Sequence, residues 1–152
     1  MKNLSFEKGS PSWNNNDILK ELENFIQLYE KRPIKNNKGG MLFPQMFYFY
    51  FILKKINPEL VIESGVYKGQ STWLIENTLP NAKMIALDID LSQREYISKK
   101  AFYSSKDFRF QNFSKIPNNT LVFFDDHVNH TERIIESKFF NIKNIVLEDN
   151  YQ

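Results

Sequence analysis

Two glycines, Gly65 and Gly69, sit in the run VIESGVYKGQST, directly after a short apolar segment that ends in Glu63. A strand ending in an acid, a turn carrying little side chain and a helix beginning near Gln70 would bring bare main chain against a ligand. The amides of the turn and of the helix start would then face a negative or polar group. A second acid, Asp88, closes the next apolar run, MIALDID, where a carboxylate can accept both hydroxyls of a ribose. Asp90 is the reserve for that role. A hydrogen bond to a charged group contributes about 1.5–3 kcal/mol, so one such acid can select ribose. The plainer reading is a tight strand-to-helix turn, with Asp88 capping the helix that follows.

Two further apolar runs also finish in acids. LVFFDDH places Asp125, Asp126 and His127 at one tip, and IVLEDNY places Glu148, Asp149 and Asn150 at another. Carboxylates crowded together either raise a pKa or recruit a cation, and hard oxygen donors from Asp and Asn suit Mg²⁺. A cation of that kind stabilises the oxyanion formed when a hydroxyl of high pKa loses its proton. His127 is the side-chain base to consider, because an imidazole near its usual pKa takes either proton state at neutral pH. The alternatives are structural: Asp126 and Asn129 are good caps for TERIIESKFF, and Glu148-Asp149 could simply end a strand. His127 and His130 are three apart, but no third soft ligand is near them, which disfavours zinc.

The elements that must position these groups follow from the apolar pattern. Residues 1–16 read as a flexible Ser/Asn/Pro-rich lead, and residues 17–152 as one domain. Asp17 can cap a helix whose Ile18, Leu22, Phe25, Ile26 and Tyr29 recur at helical spacing before Pro33. MFYFYFIL, residues 46–53, reads as a buried helix opened by Pro44 and stopped at Asn57-Pro58. Past Pro58, strands are predicted over residues 60–63, 84–88, 108–113, 121–125 and 145–148. Helices are predicted over 70–78, 92–103 and 129–140, the second with Leu91, Tyr96, Ile97 and Phe102 for an inner face. This alternation predicts an α/β, Rossmann-like open and mainly parallel sheet of about five strands with flanking helices. In such a sheet ligands bind at the carboxyl ends of the strands, so the glycine turn, Asp88 and both acidic tips should share one crevice. Trp73, just after the turn, is read as core packing rather than as a ligand platform. Lys35, Lys38 and Lys68 could meet an acidic substrate, or belong to a solvated loop.

Composition narrows the partners. The 152 residues carry 20 Lys+Arg against 18 Asp+Glu, a net charge of +2, which is too little to argue for nucleic acid or an anionic membrane surface. The most apolar run is eight residues long, whereas spanning a bilayer takes about 20. The amino terminus lacks the apolar core of a signal peptide, so the expectation is a soluble, cytoplasmic protein with a small-molecule substrate. With no cysteine, any metal must be held by oxygen or histidine.

Dinucleotide-binding turns show G-x-G-x-x-G, whereas this turn has two glycines with three residues between them, which disfavours an NAD-dependent oxidoreductase. The E-x-G-x-x-x-G form, with an acid closing the second strand, resembles the S-adenosylmethionine site of class I methyltransferases. Residues 39–151, with GGMLFP, VIESGVYKGQST, FFDDH and EDNY, resemble the cephalosporin hydroxylase and macrocin O-methyltransferase group. That resemblance implies Glu63, Gly65, Gly69 and Ser71 near the methionine end of the cofactor and Asp88 on its ribose. The acidic tips resemble those of metal-dependent catechol-type O-methyltransferases, which implies Asp125 or Asp126, with Asp149 and Asn150, around a divalent cation such as Mg²⁺. The doubled aspartate leaves two assignments to test: Asp125 as metal ligand, and Asp126 beside His127 as a catalytic residue. The expected activity is O-methylation of a sugar or small-metabolite hydroxyl, the alternative a non-catalytic cofactor-binding module. Strands six and seven of that fold have no counterpart here, so the domain reads as a fragment or a shortened member, with a fifth strand whose edge must be covered by the N-terminal segment, a partner chain such as a second copy, or residues of a longer protein.

Overall fold

The structure is a computed structural model, and it describes residues 13–148. Helix α1 spans Asn15–Tyr29 and α2 spans Phe43–Ile56. Then come β1 (Leu60–Ser64), α3 (Gln70–Thr78), β2 (Lys83–Leu87), β3 (Ala101–Ser104), β4 (Thr120–Phe124), α4 (His130–Phe139) and β5 (Asn144–Leu147). All strands pair in parallel in the order β3-β2-β1-β4-β5. The chain thus runs outward from β1 to β3 and returns to β1's other side, which makes the tips of β1, β2 and β4 a topological switch point. No helix among the described residues is long and apolar enough to cross a membrane.

The period-2 alternation of β1 decides which helix layer each site residue meets. Val61 joins the core formed with α1, α2 and α3, where Phe49 stacks on Phe123 with ring centroids 4.0 Å apart. Leu60 and Ile62 join the opposite core with Phe108, Phe113, Phe124 and Ile142. Glu63 therefore projects toward the α3 layer and Ser64 toward the α4 layer. Trp73 is buried in the first core, as read from sequence.

Three local readings are corrected. Asn14, not Asp17, caps α1: its side chain accepts from the amides of Asn16 and Asp17, and Asp17 answers from the third helical position by accepting from the amide of Asn14. Trp13 packs edge-on against Phe51, so residues 13–16 belong to the helix start. The helix expected over 92–103 and the strand expected over 108–113 are replaced by β3 and two short 3₁₀ turns, Leu91–Gln93 and Phe108–Phe110. Among the described residues β3 pairs on one side only, and it leaves Phe102 66% exposed. Phe108 and Phe113 instead plug the α4 face of the sheet against Phe124 and Phe140. An aromatic run filling the place of a helix layer has the composition of a buried strand, and this misled the pattern.

Candidate functional site

β1 delivers Glu63 into the space beneath the glycine turn. Its Oε2 accepts the Thr72 hydroxyl at 2.6 Å, Oε1 has no hydrogen-bond partner among the described residues, and the residue is 1% exposed. Burial pushes this carboxyl up to about 7, with the charge of Asp88 adding to the rise and hydrogen bonds from Ser71 and Thr72 opposing it.

Gly65 and Gly69 both have left-handed backbone, with φ of +98° and +90°. A Cβ on Gly65 would lie 2.1 Å from the carbonyl oxygen of Asp125, and one on Gly69 would lie 2.4 Å from that of Tyr96. Both glycines are thus demanded by the protein's own main chain crossing behind the turn. Gly69 is the N-cap of α3, which has no side-chain cap, and Ser71 is buried in the first turn of that helix.

Asp88, just past β2, reaches back to this turn. Its Oδ2 accepts the amides of Val66 at 2.8 Å and Tyr67 at 2.9 Å, and its Oδ1 accepts the amide of Asp90 at 2.9 Å. Oδ1 keeps lone-pair capacity toward the cleft. Asp90, the reserve candidate, is engaged by Ser92 and Gln93 of its own 3₁₀ turn.

At the tip of β4, Asp126 is held by cations and donors of its own layer. Its Oδ2 takes the Ser64 hydroxyl at 2.5 Å and Arg133 Nη2 at 2.8 Å, and its Oδ1 accepts the amide of Val128. His127, between them, is exposed and has φ of +60°. Arg133, 1% exposed, also makes a two-pronged pair with Asp107 at 2.7 and 3.1 Å. This contact holds the Asp107 carboxyl down to about 2. His130, at the start of α4, lies with Nε2 3.1 Å from the carbonyl of Glu148.

Gly65, Asp88, Asp125, Asp126, His127 and Arg133 line one cleft of about 490 Å³. The topology therefore brings together the turn, the acid after β2 and the tip of β4. Glu63 and Ser71 lie behind the turn, and Ser71 lines a small adjoining gap closed by Gly40 and Met41. Asp149 and Asn150 fall outside the described residues. Among the described residues no three metal-binding side chains cluster; of the expected cation set, Asp125 and its alternative Asp126 line the cleft. The sequence reading missed Arg133 and the loop over the turn, where Tyr67 donates its hydroxyl to the carbonyl of Lys38 and Lys68 donates to that of Asn36. Lys68 is also paired with Glu95 at 2.8 Å. The available signal for the loop was the Gly39-Gly40 pair, and for Arg133 a basic residue on the face of α4 that also carries Ser137.

No family model and no curated protein sequence matches the chain. Among solved structures, cmcI with SAH aligns over 95% of this chain and 80% of its own, at TM-score 0.63 and 14% identity. A structure of cmcI with Mg and SAM aligns over 95% and 69%, at 0.55 and 15%. SAH-bound methyltransferase PaMTH1 of Podospora anserina aligns over 92% and 73%, at 0.60 and 12%. The chain thus has the fold of these solved structures, which is the Rossmann-like sheet expected from its motifs.

Proposed function

We propose that the cleft binds S-adenosylmethionine and that the protein transfers its methyl group to a hydroxyl of a sugar or another small metabolite. One observation carries this reading: Asp88 and the glycine turn form a single unit, the carboxylate clamping the Val66 and Tyr67 amides while facing the cleft. A ribose hydroxyl donating to Asp88 Oδ1 would be anchored to the same main chain that borders the methionine end. There, the unpartnered Glu63 Oε1 and Gln70 Oε1 and the open start of α3 supply acceptors for an ammonium and amides for a carboxylate. The fold shared with SAM- and SAH-bound structures supports the same reading.

In the reaction, the acceptor hydroxyl gives its proton to His127, its oxygen forms a bond to the methyl carbon, and the sulfonium sulfur leaves with the electron pair as S-adenosylhomocysteine. His127 lines the cleft and is exposed, so it can pass the proton on to water. The described residues do not by themselves make a cation site, and Asp125 is the residue that would contribute to one; Mg²⁺, when bound, would stabilise the acceptor oxyanion.

Calorimetry with S-adenosylmethionine, S-adenosylhomocysteine and NAD⁺, each with and without Mg²⁺, tests the proposal. Binding of the first two and not the third is expected, and NAD⁺ binding alone would overturn it. Binding without methyl transfer to a panel of hydroxylated acceptors would favour the cofactor-binding module instead. Unchanged turnover in the presence of a chelator would remove the cation.

A further inference from the structure

Helix α4 is rotated against its apolar pattern. It buries Arg133 and Ser137, 1% and 0% exposed, while Ile135 and Phe139 stand 62% and 83% exposed. Hydrophobic burial alone would turn the helix the other way, since a guanidinium is costly to desolvate unless its donors are met. The partners of Nη1 and Nη2 explain the rotation, Nε alone having none among the described residues. Nη2 donates to Asp107 and Asp126 at 2.7 and 2.8 Å, Nη1 donates to Asp107 and Glu136 at 3.1 and 2.7 Å, and the rings of Phe108 and Phe124 flank the group at 5.7 and 5.4 Å. Asp107 comes from the crossover after β3 and Asp126 from the tip of β4, and both line the cleft. Asp126 in turn closes the turn in which His127 takes its left-handed backbone.

We infer that Arg133 is a positioning residue of the cleft: through Asp107 and Asp126 it sets one wall against the other, makes Asp126 part of the framework, and leaves the chemistry at the β4 tip to Asp125 and His127. The functional part of this inference rests on the cofactor reading above. The geometric part does not.

The chain has two histidines, so the imidazole NMR signals of His127 and His130 can be told apart with a His127→Gln variant. Arg133→Lys, Asp126→Asn and the double variant are compared. Arg133→Lys keeps a cation in the site, and Asp126→Asn keeps the side-chain shape should the lysine variant fold poorly. Each single change is expected to move the His127 signals, leave those of His130 in place, and weaken S-adenosylhomocysteine binding about tenfold. The double variant should lose no more than either, because both break one link. Thermal midpoints that fall while the His127 signals and the affinity stay put would overturn the inference and leave Arg133 as a strut. Additive losses in the double variant would overturn it as well. If the unaltered protein binds no S-adenosylhomocysteine, the cofactor reading fails, and the His127 signals alone decide the positioning role.

Discussion

The turn after β1 and the tip of β4 touch each other, face the same cleft and are built by opposite means. Each bends the chain at a strand end through a left-handed residue, Gly65 at φ +98° and His127 at φ +60°. The turn is held at its main chain: the Asp88 carboxylate accepts two of its amides, and the carbonyl of Asp125 fills the space where a Gly65 side chain would be. The β4 tip is held by side-chain charge, through Arg133 and its three acid partners. Position is enforced by lack of room in one region and by ion pairing in the other, so the two should fail differently.

The largest difference is expected from changes at the two left-handed residues. Gly65→Ala forces a methyl against a carbonyl 2.1 Å away at a φ that alanine disfavours, and about 3 kcal/mol or more of stability should be lost in urea unfolding. His127→Gly removes a side chain from the same backbone region, where relief of strain offsets added chain entropy, and a change within about 1 kcal/mol is expected. Equal losses at both would erase the distinction.

Acidity separates the regions next. Glu63 is pushed up to about 7 from 4.5, so the folded state binds its proton more tightly than the unfolded chain, and its contribution weakens as pH rises from about 4.5 to 7. Asp107 is held down to about 2 from 3.8, so its contribution is present above about 4 and disappears as pH falls toward 2. Glu63→Gln should flatten the upper limb and raise stability at pH 8 by on the order of 2 kcal/mol, because no charge is then buried. Asp107→Asn should flatten the acid limb while lowering stability throughout. Thermal midpoints measured from pH 2 to 9 check both.

Asp88 links structure to ligand with a smaller effect. Asp88→Ala should weaken S-adenosylhomocysteine binding about tenfold, or 1.4 kcal/mol, without unfolding the chain. An unchanged affinity in calorimetry would remove the ribose role and leave Asp88 as a clamp on the turn.

How much of this was legible in the sequence depended on whether the signal was local. β1, the glycine turn and α3 were legible because strand, breaker and helix follow one another within a short stretch, and the helix 70–78 matches the structure to the residue. That Asp88 lies on the cleft wall was legible because a strand end in a parallel sheet points one way. The reason for the glycines was not legible: the carbonyls of Asp125 and Tyr96 that crowd them come from distant segments. Residues 92–113 were misread because β3 exposes Phe102 while Phe108 is buried, an order that depends on which run pairs with β2. Arg133 was invisible as a site residue since its partners Asp107 and Asp126 are brought to it only by the crossover after β3 and the end of β4.

The smallest effect tests whether the turn needs anything beyond the Asp88 clamp and the crowding at Gly65. Tyr67, itself left-handed at φ +47°, donates its hydroxyl to the carbonyl of Lys38 at 3.2 Å, and its ring packs beside Gly39. Both groups are exposed, so water replaces the lost partner, and a net bond of this kind contributes about 0.5–1.5 kcal/mol at most. If the clamp by Asp88 and the crowding at Gly65 fix the turn, Tyr67→Phe should change S-adenosylhomocysteine affinity by less than about threefold. A loss as large as that of Asp88→Ala would instead show that the loop over residues 36–41 sets the shape of the turn. The contrast drawn above would then fail, because crowding at Gly65 would no longer be what fixes the turn.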